Sequence, residues 1–145
     1  MQTFLPYPDF QKSAKILDKR RVWKQVVEAK QILDVLLSKK QRGAWVNHPA
    51  TRMWRGYEGA LIKYYNIFYI ECLIYRNIRI KKLKIKIPHN VVYPPWLGDE
   101  RVHSSHRGRL LNKYPEYYSQ FGWNEEPIPQ NQGYFWPVDM QHCLV

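Results

Sequence analysis

The chain has 145 residues, with 23 Lys and Arg against 12 Asp and Glu, a formal charge of +11, 15% aromatic residues and two cysteines. That length supports one hydrophobic core and is short for two. No apolar run approaches the length of a membrane span, and two thiols make no disulfide framework. A surplus of cations this large favours a polyanion partner, because cations gain affinity for phosphates by releasing counterions.

Met1 to Tyr7 carries no secretory or targeting pattern, which predicts a protein that is not secreted. Thr3, Phe4 and Leu5 can pack, and Pro6 and Pro8 forbid a helix there, so the N-terminal segment is expected to be tied down. A fixed α-amine is a usable nucleophile, with a reference pKa of roughly 7.7–8.0. Asp9 to Asp18 reads as a short helix capped by Asp9, with Phe10, Ala14 and Leu17 on one side.

The stretch from Lys19 to Leu37 reads as one amphipathic helix with Asp18 as its cap. Val22, Val26, Ala29, Leu33 and Leu36 recur at three- and four-residue steps and line one side. Arg21, Lys24, Gln25 and Glu28 fall on the neighbouring side, which sets one carboxylate among cations on a rigid element. Lys39, Lys40 and Arg42 suit the negative end of this helix, and Gly43 is expected to stop it.

After Trp45, either Asn47 or His48 can cap the next helix, and Pro49 fits its first turn. From Ala50 to about Tyr75 the spacing predicts one long helix. Trp54, Tyr57, Leu61, Tyr64, Phe68, Cys72 and Tyr75 form its apolar stripe, read mainly as core. Arg52 and Arg55 sit in its first turns, where the helix dipole disfavours cations, so they either face phosphate or are simply solvated.

Arg76 to Ile87 alternates Ile and Leu with Lys and Arg, which predicts extended chain or a short edge strand. Pro88, Pro94 and Pro95 then impose a loop. A third main helix is expected over roughly His106 to Lys113, capped by Asp99 or Ser104, with a shorter helical turn from Pro115. Trp123 to Val145, with Tyr134, Phe135 and Trp136 between prolines, reads as an irregular aromatic strap. The expectation is an all-α fold: one domain over residues 1–145, about three main helices, irregular loops and this strap.

The chemistry bounded by these residues is narrow. Asp99, Glu100, His103 and His106 approximate a metal-ligand set, but no second cluster supports it, so no metal is expected. There is no GxSxG, P-loop or GxGxxG. Cys72 on the apolar stripe and Cys143 in the tail make poor hydrolase nucleophiles, and both thiols are expected to be free.

Three stretches carry a resemblance: MQTFLPYPDF with LDKRRVWKQVVEAKQIL; WVNHPATRMWRGYEGAL; and WLGDERVHSSHRGRLLNKYPEYYSQFGW. Together they resemble the pyrimidine-dimer DNA glycosylases of the endonuclease V type, including their bacterial and viral relatives. The resemblance implies an all-helical repair enzyme without cofactor, acting on damaged double-stranded DNA as a monomer, in the cytoplasm or with a virion. It implies attack by an N-terminal amine on C1′ of a damaged nucleotide, a Schiff base, and strand nicking by β-elimination.

By position, Glu28 matches the helical carboxylate of that chemistry, and Met1 or Gln2 supplies the amine. Arg21 falls near the sugar, and Arg107 matches a residue that meets the phosphate backbone. Arg20, Lys24, Asn47, His48, Arg52 and His106 complete the expected DNA contacts. Neighbouring Arg20, Arg21 and Lys24 are expected to depress the amine's pKa and to keep Glu28 ionised.

The chain departs from the family pattern at two places. Gln2 is bulky where relatives expose a small residue, so Met1 is expected to be retained. Val26 and Val27 stand where relatives commonly carry Arg. These departures keep a second expectation open, a basic DNA-binding or packaging module that lost catalysis. A third is an RNA-binding module that stacks bases on its aromatics.

Overall fold

In a computed structural model, residues 2–38, 43, 45–80 and 85–138 are described, and their regular structure is helical, with no strand. Helix α1 (Phe10–Ile16) starts where the Asp9 carboxylate accepts the Lys12 amide at 3.0 Å. That relieves one orphan N–H of the first turn. At its other end the Arg76 guanidinium donates to the carbonyls of Lys15 at 2.8 Å and Leu17 at 2.7 Å.

Helix α2 (Lys19–Leu37) has the bounds its apolar period predicts. Val22, Val26, Ala29 and Leu33 are fully buried, as is Ile32, and the helix packs mainly on α4 (Glu58–Ile70). Asp18 occupies the N-cap position but does not cap with its side chain. Its carboxylate accepts the Tyr118 hydroxyl and the Arg21 guanidinium instead. Lys39, Lys40 and Arg42 lie outside the described residues.

The single helix expected from Ala50 to Tyr75 is broken. A short α3 (Pro49–Arg52) begins at His48, whose Nδ1 accepts the Ala50 amide at 3.0 Å. The chain then turns through residues 53–57, where Gly56 takes φ +89°, a left-handed conformation that costs glycine little. Helix α4 follows and widens into a π-helical turn over Glu71–Tyr75. Asn77 ends it with φ 53°, a conformation Asn tolerates. Trp54, Leu61, Tyr64, Phe68 and Cys72 are fully buried on both sides of the break, so the stripe is core, while Tyr75 is 69% exposed.

The expected edge strand has no sheet to join among the described residues. Ile85 pairs instead with one side chain: Asn66 donates to its carbonyl at 2.6 Å and accepts its amide at 3.0 Å. Residues 81–84 lie outside the described residues.

Helix α5 (Glu100–Lys113) starts earlier than expected, capped by Asp99, which accepts the Arg101 amide at 3.0 Å. Pro115 opens α6 (Pro115–Tyr118). The chain from 123 to 138 then crosses α5 at Gly108, whose carbonyl accepts the Ile128 amide at 2.9 Å. A Cβ at Gly108 would lie 2.8 Å from the Ile128 side chain and 3.0 Å from the Glu126 carbonyl. Tyr134, Phe135 and Trp136 pack partly buried against the core. Cys72 is a free thiol, and Cys143 lies outside the described residues. No helix among the described residues is long and apolar enough to cross a membrane.

Candidate active site

The N-terminal segment is held by side chains along its whole described length. The Gln2 side chain accepts the Thr3 amide at 2.9 Å, and Trp54 donates its indole N–H to the Thr3 hydroxyl at 2.9 Å. Gln25 accepts the Phe4 amide at 2.8 Å, and the Tyr64 hydroxyl donates to the Phe4 carbonyl at 2.9 Å. Leu5 is gripped from α5: its amide donates to His106 Nδ1 at 2.9 Å, and its carbonyl lies 2.8 Å from His103 Nδ1. The Pro6 carbonyl accepts from Arg107 at 2.7 Å. The amides of Thr3, Phe4 and Leu5 and the carbonyls of Phe4, Leu5 and Pro6 thus find side-chain partners without a sheet.

This pinning delivers residue 2 to α2. The backbone N–H of Gln2 donates to Glu28 Oε2 at 3.2 Å. The two meet at a cleft of about 240 Å³ lined by Gln2, Arg20, Arg21, Lys24, Glu28 and Lys113, with Phe4, Gln25 and Tyr134 completing the wall. Gln2 is 3% exposed, and its side-chain Nε2 has no hydrogen-bond partner among the described residues.

Glu28 is held above the usual carboxylate range because burial penalises its charge more than the Gln2 amide, Lys24 and Lys113 favour it. Desolvation thus outweighs the neighbouring cations at Glu28, although they act in the expected direction. A carboxyl raised in this way exchanges protons closer to neutral pH, as a general acid or base requires.

The structure brings together five of the expected site residues: Gln2, Arg20, Arg21, Lys24 and Glu28. Arg21 is not wholly free for a ligand, since it pairs with Asp18 at 3.2 Å. Met1 lies outside the described residues. Asn47 is exposed at a turn and does not line this cleft. His48 is partly buried between the rings of Trp45 and Trp136, at centroid distances of 5.4 and 5.9 Å, and burial pulls its pKa down. Arg52 is partly buried and does not line the cleft.

His106 and Arg107 sit inside the molecule rather than on a DNA-facing surface. His106 is fully buried, and desolvation lowers its pKa to about 3, so the ring is neutral. It backs the cleft wall, edge-to-face with Phe4 and Tyr134. Arg107 is 8% exposed, pairs with Glu125 at 2.9 Å and also binds Glu100. A guanidinium already neutralised by two carboxylates and a carbonyl has little left for a phosphate.

Sequence reasoning missed Gln25, Lys113 and Tyr134. Gln25 was grouped with the charged side of α2, yet it is 1% exposed and spends its oxygen on Phe4 and Tyr64. Lys113 closes α5 immediately before the Tyr114–Pro115 break, a signal that locates it on its own helix but not against α2. Tyr134 is stacked under Arg109, whose guanidinium lies 4.5 Å from its ring centre.

Compared with known proteins, residues 1–86 match the family model described as pyrimidine dimer DNA glycosylase. No curated protein and no solved structure matches the chain. The matched part holds the pinned segment, α2 and α4. Helix α5, with His103, His106, Arg107 and Lys113, lies beyond it.

Proposed function

The chain belongs to the pyrimidine dimer DNA glycosylase family, and from that premise we propose that it is a DNA glycosylase with abasic-site lyase activity working through its N-terminal amine. The observation that carries this reading is the 3.2 Å contact between the residue 2 nitrogen and Glu28 at the cationic cleft. Residues 1–145 act as one domain in this proposal, because Lys113 and Tyr134 help to wall a cleft built on residues 2–28.

The steps follow from the groups present. The unprotonated amine attacks C1′ of the damaged nucleotide. The N-glycosidic bond breaks, its electron pair leaves with the base, and the base takes up a proton. The amine loses its protons as the C1′–N double bond forms and the sugar ring opens, O4′ receiving a proton. A base then removes a C2′ proton, the electrons form the C2′–C3′ double bond, and the 3′ phosphate departs.

Glu28 stabilises the cationic sugar and relays these protons. Arg20, Arg21 and Lys24 bind the flanking phosphates and disfavour the protonated amine. Reaching C1′ in a duplex requires a distorted or extruded nucleotide, and phosphate contacts offset that cost.

A second reading, DNA binding without catalysis, is favoured by one observation. While Met1 is attached, the residue 2 nitrogen is an amide, donating to Glu28 and not nucleophilic. Catalysis then requires the amine of Met1, or its removal to free that of Gln2. Borohydride trapping tests both readings. Incubation with duplexes carrying an abasic site or a pyrimidine dimer is expected to yield a covalent protein–DNA adduct and a nicked strand. Salt-sensitive binding with neither product on either duplex overturns the enzyme in favour of the binder.

A further inference from the structure

Two lysines line the cleft, and they differ. Lys24 is exposed on α2, where water solvates its charge. Lys113 is partly buried, at the last residue of α5, and its ammonium makes no hydrogen bond or ion pair among the described residues. The helix fixes its backbone: the next amide, Tyr114 N–H, still donates to the Leu110 carbonyl at 3.0 Å, and Pro115 redirects the chain immediately after. Glu28 is the carboxylate it faces, and Arg21, Lys24 and Arg109 are the cations around it.

Resting on the glycosylase reading above, we propose that Lys113 is a second imine-forming amine of this cleft, able to capture an abasic-site aldehyde independently of the chain's first residue. The cleft places Lys113 and Glu28 on two different helices around one polar space, with Gln2 also in its lining. An amine attacks only when unprotonated. The helix C-terminus favours the charged form of Lys113, but burial first, and then the like charges of Arg21, Arg109 and Lys24, bring its pKa down from the ordinary lysine value. Lys24 lacks the burial, and guanidinium groups do not form imines.

The chemistry balances without a cofactor. The neutral Lys113 Nζ adds to the C1′ aldehyde of an opened abasic sugar. The carbinolamine takes a proton from a carboxyl such as Glu28, loses water, and leaves a C1′–Nζ imine. β-Elimination from that imine proceeds as it does from the N-terminal one. This gives Lys113 abasic-site capture alongside the N-terminal amine and leaves removal of the intact damaged base to that amine.

The test is borohydride trapping of the full chain on abasic-site duplex, followed by mass mapping of the modified peptide. The protein is used as made, and again with its α-amine blocked by selective N-terminal transamination. An adduct on the Lys113 peptide that survives the block is expected. K113R, which keeps the charge but cannot condense, should lose that adduct. Capture should also fall more steeply toward acid pH in the blocked protein, tracking one lysine. An adduct confined to the N-terminal peptide and abolished by the block overturns the Lys113 assignment and leaves the glycosylase reading intact. No adduct from unblocked protein overturns both. Mapping on the wild-type chain decides the matter even if K113R fails to fold.

Discussion

Two groups of basic residues face each other across the N-terminal segment, and they have opposite fates. On α2, Arg20 and Lys24 stay exposed and Arg21 keeps one side toward the cleft. On α5, His103, His106 and Arg107 turn inward and are consumed by Leu5, Pro6, Glu100 and Glu125. In sequence the two groups look alike, as cations on helices of a basic protein. What separates them is whether a partner lies within reach. The first group is available to a polyanion, and the second holds residues 5 and 6 so that residue 2 arrives at Glu28.

That contrast is broken most severely at the carboxylate between the groups. Glu28→Gln keeps shape and hydrogen bonding but cannot relay a proton. Strand nicking is expected to fall by roughly 10²–10⁴-fold, the usual worth of a positioned acid or base. Affinity for abasic duplex should stay within a few-fold, because the cations remain. Single-turnover nicking alongside equilibrium binding measures both. Equal nicking by the two proteins would remove Glu28 from the mechanism.

The second group is tested through stability rather than affinity. Arg107→Ala strands the Glu125 carboxylate and frees the Pro6 carbonyl. Losing one partner of a largely buried pair costs about 2–4 kcal/mol here, below the fully buried case because Glu100 is 71% exposed. Denaturant unfolding reads this directly. If instead stability holds and only DNA affinity drops, Arg107 belongs with the α2 cations.

Acid pH should release the same grip. His106 is neutral in the folded protein with a pKa of about 3, while in the unfolded chain it titrates near its ordinary value. The unfolded state therefore binds more protons as pH falls, and stability is lost from about pH 6.5 downward at up to about 1.4 kcal/mol per pH unit. His103, also pulled down by burial, adds loss of the same sign. Glu28 works the other way: its raised pKa withdraws stability as pH rises above its ordinary 4.5, so acidification down to about that point restores part of what the histidines lose, and nothing more below it. Unfolding midpoints at about pH 7.5 and about pH 5 should differ accordingly. A flat profile would mean His106 is not the neutral acceptor of the Leu5 amide.

How much of this was legible in the sequence depends on how local each cause is. The bounds of α2 follow from Asp18 and a clean apolar period, both contained in the segment. The break at residues 53–57 was hidden because Trp54 and Tyr57 keep helical spacing across it, while Gly56 takes a conformation that spacing cannot report. The Asp18 cap was misread because its partner, Tyr118, is a hundred residues away. Likewise His106 and Arg107 have an amphipathic helix's ordinary pattern, and only the arrival of Leu5, Pro6 and Glu125 turns them inward. Glu28 and its α2 neighbours were legible because one helix carries them all. Lys113 was not, because its place in the cleft depends on how α5 lies against α2.

The smallest expected effect sharpens the comparison from the α2 side. Lys24 is exposed and makes no ion pair with the described residues, so Lys24→Ala should change stability by less than about 0.5 kcal/mol. If it meets a phosphate, the slope of log affinity against log salt should shrink by about 0.9, and binding should weaken alike on intact, abasic and dimer-containing duplexes. Arg107→Ala, corrected for any unfolded fraction, should leave that slope unchanged, since its charge is already matched inside the protein. The pair of slopes is the discriminating measurement. A cation that serves DNA changes the number of counterions released, whereas one that serves the fold does not, however basic both look in the sequence. Equal slope changes at Lys24 and Arg107 would place both helices on the DNA face and undo the division between them.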